Sequence, residues 1–313
     1  MDLPRTYKRL VGRRVGKSFR EVCEEETVDI SLPGEGEVLV KVLWAGINGG
    51  CETFRVRGDA YTPFARNASA DKFLLGAECA GVVAAAGPGV SLKVGQAVTA
   101  SGGLQSGGGF GEYLTAVAAQ CFPVPAATPE AVALTLSAVT AAVALEVTGG
   151  PLRKGETALV TAAAGGTGHF GVQLALLAGC RVVATAGGEA KAQRLRDLGV
   201  HRVIDYKRED VRGVLDAEFP GQLDVVYEGV GGELFRAALG NLSPSGRLLS
   251  VGYISEYPHV SQGSGESAGA PQPSEVEGWK LPPARELFWG RQKLQRGDQT
   301  VHGDVWAGGD KEK

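Results

Sequence analysis

The five cysteines of this 313-residue chain, Cys23, Cys51, Cys79, Cys121 and Cys180, lie far apart, and no C-x-x-C pair occurs. That spacing excludes a zinc finger and a dense disulfide framework, and makes reduced thiols the expectation. Cys51 and Cys79 are expected to be inert small hydrophobes rather than nucleophiles. No uninterrupted apolar run approaches the ~20 residues of a membrane span, so no membrane partner is expected. The net charge of −3 lacks the basic excess that nucleic-acid binding requires. The opening segment, MDLPRTYKRLVGRR, is basic but has neither the apolar core nor the small-residue cleavage pattern of a signal peptide. No internal repeat is visible.

Glycine, by contrast, is abundant: 47 residues, about twice the usual share. It punctuates two kinds of sequence. Residues 1–126 contain short apolar runs bounded by Gly, Pro and Ser, such as GEVLVKVLWAGIN and ECAGVVAAAG, which is a strand signature. From Pro129 the Ala- and Leu-rich run EAVALTLSAVTAAVALEV predicts a helix, with Thr128 as N-cap and Pro129 in the first turn. Strands and helices then alternate through ETALVTAAA, RVVATA, HRVIDY, LDVVYEGV and GRLLSVGYI, the pattern of a parallel sheet covered on both faces. The predicted fold is α/β: a β-rich domain over 1–126, then a doubly wound domain over 127–258, with the C-terminal part of that fold incomplete. Residues 259–313 are rich in Gly, Ser, Pro and Glu at first and lack strand-turn-strand grammar later, so they read as linker or disordered tail.

The run TALVTAAAGGTGHFGVQLAL sets Gly166, Gly168 and Gly171 in a G-x-G-x-x-G spacing between a strand and a helix. The first glycine allows a tight turn, the second lets backbone approach a pyrophosphate, and the third lets the helix pack close to the strand. Backbone N–H groups at the positive helix end then hold the anion, with Gly165 and Thr167 in the same turn. At the end of the second strand, where an NAD enzyme offers a carboxylate to the ribose, the sequence has Gly187 and Gly188. Lys191 follows within one helical turn, and Tyr206 ends the third strand. An absent carboxylate and a nearby cation favour the 2′-phosphate of NADPH. Lys191 as a solvated helix charge, or Glu189 reaching a ribose, would instead leave the choice of cofactor open. His169 is expected to be a solvent-facing side chain rather than a base.

Taken in order, GEVLVKVLWAGIN, the GxExxGxV pattern at Gly76, Glu78, Gly81 and Val83, then VGQAV and AAAGGTGHFG, resemble the medium-chain dehydrogenase/reductase superfamily. The resemblance covers about residues 7–258, and it implies a GroES-like first domain and a Rossmann second domain. Zinc-dependent members place a cysteine where this chain has Asn48 and a histidine where it has Ala77. No metal is therefore expected, and the chain resembles the zinc-independent quinone oxidoreductase and enone reductase branch. FREV, IDYK, DVVYEGVGGELF and VGYISEY look closest to the prostaglandin reductases within it. That likeness implies NADPH-dependent reduction of the carbon–carbon double bond of 15-keto-prostaglandins.

By the same resemblance Tyr257 is the expected donor to the substrate carbonyl oxygen. Asn48 is expected near nicotinamide or substrate, with a turn-capping role as its alternative. Tyr61, in GDAYTPF, is expected either to wall the substrate site or to pack on the surface, and Thr185 and Tyr253 are expected to join the cofactor residues. Glu78 is expected to hydrogen-bond within the first domain. Two other readings stay open: a quinone oxidoreductase, and a cofactor-binding protein without turnover. The second follows from the 260–313 stretch, which departs from the family pattern and resembles a replaced C-terminal portion. If that stretch supplies no strand, the fifth strand becomes an exposed edge. Relatives are often dimers. The cytoplasm is the expected compartment; the peroxisome, an alternative for full-length relatives, would call for a terminal S-K-L-type address, and this chain ends DKEK.

Overall fold

The computed structural model describes residues 3–49, 56, 72–101, 108–256, 274–276, 279–281 and 293–303. The chain divides into two compact units, Met1–Leu136 and Ser137–Lys313. The division falls inside the helical segment that follows Thr128, whereas the sequence reading drew it at 126/127.

In the first unit, β1 (Thr6–Gly12) leads through the one-turn helix α1 (Phe19–Val22) to β2 (Cys23–Asp29), which pairs antiparallel with β1. Next come β3 (Glu37–Gly46), β4 (Phe73–Leu74), β5 (Glu78–Ala86), β6 (Ala97–Ser101), β7 (Tyr113–Val117) and β8 (Cys121–Pro123). The described strands form a sheet in the order β7-β3-β5-β6-β8 and a smaller one in the order β2-β1-β4. Val38, Val40, Val83, Val98 and Leu114 fill the interior of the larger sheet together with Cys79 and Cys121. These two cysteines flank Ala100 from the strands on either side of β6. Two strand spacings, about 10 Å, exceed the Cα separation of a disulfide. Burial pushes the Cys79 thiol up to about 12 and the Cys121 thiol up to about 11. Both are neutral thiols at physiological pH, as expected of Cys79. Cys51 lies outside the described residues.

Helical segment α2 (Pro129–Thr148) starts as its sequence predicts: the Thr128 hydroxyl accepts the Ala131 N–H at 3.2 Å, and Pro129 sits in the first turn. Two of its stretches, Leu134–Ala138 and Val143–Thr148, widen into π-helix. By length and composition alone α2 could cross a membrane, which corrects the expectation that no stretch comes near a span. Its apolar residues include the buried Ala131, Val132, Leu136, Ala141, Ala144 and Leu145, and burial of that kind gives a core helix the same composition.

The second unit alternates β9 (Thr157–Val160), α3 (Gly168–Leu177), β10 (Arg181–Ala186), α4 (Glu189–Asp197), β11 (Arg202–Asp205), α5 (Val211–Glu218), β12 (Leu223–Glu228), α6 (Gly232–Gly240) and β13 (Leu242–Ser250). The five strands are parallel in the order β11-β10-β9-β12-β13. One face packs Val160, Val182 and Val225 against Leu145, Val172 and Ala175; the other packs Leu159, Val183 and Val226 against Leu215 and Phe235. Strands buried on both faces explain the unbroken apolar runs.

Beyond residue 259 the expectation of a wholly disordered tail is corrected. β14 (Ser274–Val276) pairs with β15 (Trp279–Leu281), and β16 (Lys293–Arg296) forms a hairpin with β17 (Gln299–Gly303). β17 lies parallel on β13, so the sheet has seven described strands and β13 is not an edge. The signal lay in RGDQ. Gly297, at φ +59°, opens a two-residue turn with Asp298, and Leu294 pairs with Val301 across it. Val301 is fully buried with Leu248 and Trp279. Burial of these apolar side chains supplies what the polar composition of the stretch obscures.

Candidate functional site

β9 runs into the turn Thr161–Thr167, and α3 begins at Gly168. Ala162 takes a left-handed φ of +47°, unusual for a residue with a Cβ. The fully buried Thr185 holds it there: its hydroxyl accepts the Ala162 N–H at 3.2 Å and its carbonyl accepts the Ala163 N–H at 3.0 Å. The glycines differ in how tightly they are enclosed. A Cβ on Gly168 would press on the Ala162 carbonyl oxygen at 2.5 Å and the Ala163 Cα at 2.9 Å, so the tightest contact, between the helix start and the turn, falls on the second glycine. A Cβ on Gly171 would meet the Tyr227 ring at 3.4 Å, an ordinary contact. The Thr167 side chain makes no capping bond, which leaves the first turn of α3 suited to an anion. His169 bonds through Nδ1 to the Gly165 carbonyl at 3.0 Å. The bond lies in an exposed position and the residue is half-buried, so the ring is tied to the loop while still open to solvent.

One residue that the sequence reading passed over braces this turn. Glu228 is fully buried at the end of β12. It accepts the Val230 N–H at 2.8 Å, the Gly231 N–H at 3.0 Å and the Thr161 hydroxyl at 3.2 Å. The Thr161 hydroxyl in turn accepts the Gly229 N–H at 2.8 Å. A carboxylate thus ties the turn after β9 to the glycine loop after β12. An acid ending an apolar strand directly before Gly-Val-Gly-Gly was the legible clue.

At the end of β10 the Tyr206 hydroxyl, the tip of a half-exposed side chain, lies against Gly187, where a Cβ would make it swing aside. Gly187 and the Tyr206 phenol thus stand side by side at the strand end. The Gly188 N–H donates to Asp205 Oδ1 at 2.8 Å, and the Lys207 N–H donates to the same oxygen at 3.1 Å. The Gly188 N–H, the Lys207 N–H and the neighbouring cations Arg208 and Lys207 hold the Asp205 carboxyl below the ordinary range, against a smaller opposing effect of burial. Glu189 is engaged by Arg196 and by Arg208. A cavity of about 810 Å³ opens here, lined by Gly165, Thr185, Gly187, Lys191 and Tyr206 and walled by Val230, Leu234 and Ile254. Gly165, Thr185, Lys191 and Tyr206 thus come together around one space. Gly166, Thr167, Gly168 and Gly171 build the turn and helix beside it. Tyr253 is buried, while its neighbour Ile254 reaches the cavity wall. The chemistry of this set fits a dinucleotide: an uncapped helix start for pyrophosphate, and an ammonium and a phenol for a ribose phosphate, with Glu209, Asp210, Arg212 and Glu233 farther along the same lining.

In the first unit, Asn48 lies just beyond β3, and its side chain hydrogen-bonds to Glu78. Glu78 is only 4% exposed, and its Oε2 accepts the Leu136 N–H at 2.9 Å. Burial outweighs these two hydrogen bonds and pushes the carboxyl up to about 7. Tyr61 and Tyr257 lie outside the described residues. Among the described residues no group of three or more His, Cys, Asp or Glu is placed to hold a metal ion.

Comparison with known proteins places both units. The profile described as the alcohol dehydrogenase GroES-like domain matches residues 34–126, and that described as zinc-binding dehydrogenase matches residues 166–264. Prostaglandin reductase-3 of Mus musculus is 38% identical over 258 residues, 82% of this chain and 66% of that protein. The chain therefore spans just under two thirds of that relative's length. A probable quinone oxidoreductase of Leishmania amazonensis is 41% identical over 263 residues, 82% of this chain and 73% of that protein. The crystal structure of Escherichia coli quinone oxidoreductase complexed with NADPH superposes with a TM-score of 0.69 at 29% identity, covering 79% of this chain and 74% of that one. With a GroES-like domain followed by a Rossmann-type parallel sheet, the chain belongs to the medium-chain dehydrogenase/reductase family.

Proposed function

We propose that this protein is an NADPH-dependent oxidoreductase that reduces the carbon–carbon double bond of an α,β-unsaturated ketone, with 15-keto-prostaglandins as the substrate class. The observation that carries the cofactor is the Gly187–Tyr206 packing beside Lys191, which sets a cation and a phenol where a carboxylate would otherwise stand. The substrate class rests on the likeness to prostaglandin reductase-3. The NADPH complex of the Escherichia coli relative supports the cofactor from a second direction.

Gly165, Thr185, Lys191 and Tyr206 would hold NADPH, which would supply a hydride for the β-carbon of the enone. The protein's own task is to orient the two reactants and to receive charge on the carbonyl oxygen. As the new C–H bond forms, the double-bond electron pair moves toward that oxygen, and a hydrogen-bond donor there lowers the barrier. Asn48 and Tyr257 are the candidate donors. Water supplies the proton that finally reaches the α-carbon, so no general base is needed. Thr185 and Glu228 keep the glycine turn and its neighbouring loop in shape without touching substrate.

A quinone is the second substrate reading, favoured by the Leishmania relative. Titration with NADPH and NADH, followed by nicotinamide fluorescence and then addition of 15-keto-prostaglandin E2 or 1,4-benzoquinone, tests both. Preferential NADPH binding with turnover of the keto-prostaglandin is the expected result. Turnover of the quinone alone would move the substrate class, and failure of the folded protein to bind either nucleotide would overturn the proposal.

A further inference from the structure

Glu78 stands where a carboxyl group has few ways to stay charged. It begins β5 opposite Ser101 of β6, and it fits only because residue 46 is glycine, since a Cβ there would collide with the carboxyl group. β3 contributes Gly46, the loop after it Asn48, and α2 the Leu136 N–H. Among the described residues no charged side chain acts on Glu78; the neighbouring titratable group is the Cys79 thiol, itself neutral.

The two ends of the Glu78 carboxyl have unequal freedom. The Leu136 N–H can only donate, so Oε2 must remain an acceptor whatever the protonation state. A proton on Glu78 therefore belongs on Oε1, and it then needs an acceptor of its own. Asn48 is the adjacent group that can serve either way, because a carboxamide turns its NH₂ or its carbonyl to a partner by a half-turn of the side chain.

We propose that Glu78 is a positioning residue that sets the orientation of the Asn48 carboxamide: ionised Glu78 draws the Asn48 NH₂ toward itself, and protonated Glu78 draws the Asn48 carbonyl. The opposite side of Asn48 then presents an acceptor in the first state and a donor in the second. This inference rests on the reading that Asn48 faces the reacting ketone. Hydride transfer needs a donor at the carbonyl oxygen, so the protonated state is the productive one. Burial brings the protonation equilibrium to about 7, within reach of ordinary conditions.

Two measurements test the switch separately from the reading beneath it. The first follows the Asn48 side-chain NH₂ resonances of ¹⁵N-labelled wild-type protein between pH 5.5 and 8.5, assigned by their loss in Asn48→Ser. They should move with a midpoint near 7, and resonances that stay still over that range would overturn the proposal whatever the activity does. The second compares pH profiles of kcat for wild type and Glu78→Gln. The glutamine carbonyl still accepts from Leu136 and its NH₂ faces Asn48, so the variant mimics the protonated state. Wild-type kcat should fall roughly tenfold as pH rises through the transition, and Glu78→Gln should stay high and flat, which a merely structural role would not produce. Resonances that titrate while kcat stays level would uphold the switch and sink instead the placement of Asn48 at the ketone. A falling limb that persists unchanged in folded Glu78→Gln, with resonances still titrating there, would overturn the assignment to Glu78.

Discussion

The Gly188 N–H is held at 2.8 Å by Asp205 Oδ1, so the loop after one strand is fastened by the last residue of its neighbour. The other oxygen, Oδ2, is buried without a hydrogen bond, and the Arg208 Nε lies 3.9 Å away. This carboxylate thus comes from the third strand of the unit and grips the backbone of the loop after the second.

This arrangement separates a clamp from a charge. Asp205→Asn keeps the acceptor for Gly188 and removes a negative charge near the cavity, so NADPH affinity should rise roughly two- to fivefold while NADH affinity stays level. Asp205→Ala removes the clamp as well, and both nucleotides should bind more weakly. Paired fluorescence titrations check this; an Asn variant that loses both cofactors equally would show the charge to be irrelevant.

Lys191 is exposed, and with Tyr206 it lines the cavity that Gly187 opens. Lys191→Ala should weaken NADPH by about tenfold and leave NADH unchanged, the loss of one charge-assisted bond to a phosphate. Equal losses for the two nucleotides would mean that the ammonium only solvates its helix.

The glycine motif was legible as a pattern, while the assignment of roles within it was not. Spacing located the turn between β9 and α3, and alternation of apolar runs located all five parallel strands up to Ser250. Which glycine is most tightly enclosed depends on the path of the turn through the left-handed Ala162, a tertiary property fixed by Thr185. Gly168→Ala should therefore destabilise the protein and impair cofactor binding, while Gly171→Ala should be nearly neutral. Thermal melts of the two variants with and without NADPH distinguish them. Glu228 and Asp205 were harder to read, because an acid at a strand end has no periodicity to betray its partners. Asn48 and Tyr206 could be singled out by position in a motif, but the carboxyl beside the one and the glycine beneath the other became visible only with the fold.

Glu156, directly before β9, and Arg247, in the second half of β13, are joined by two bonds of 2.8 and 3.1 Å, with both side chains largely buried. Burial would raise the Glu156 carboxyl, but the guanidinium and the Arg153 N–H outweigh it and hold the group below its ordinary range. A carboxyl depressed on folding contributes stability above its unfolded value, and that contribution is lost as pH falls through the folded one. Glu156→Gln should cost about 2 kcal/mol at pH 7 by leaving Arg247 without its counter-charge. Urea unfolding at pH 7 and below pH 4 tests this: the gap between wild type and variant should shrink on acidification, and a gap independent of pH would remove the ion pair from the account.

β17 is the strand that the composition of the chain conceals. Val301 pairs with Leu248 in parallel register and is fully buried, while Leu294 packs partly buried against the same cluster. If this strand completes the sheet, Val301→Ala should cost about 2 kcal/mol, the loss of a buried aliphatic group and the cavity it leaves. Val301→Asp should be far worse, since a carboxylate there has no partner in an apolar cluster. Exposed β13 would then present unpaired backbone groups, and the variant should associate through that edge. Leu294→Ala provides the control, because it weakens the hairpin while leaving β17 in register and should cost less than Val301→Ala. Denaturant midpoints, with light scattering to follow association, decide the matter. Equal stability of wild type and Val301→Asp would mean that residues 299–303 do not belong to the sheet, and that the doubly wound unit ends at Ser250.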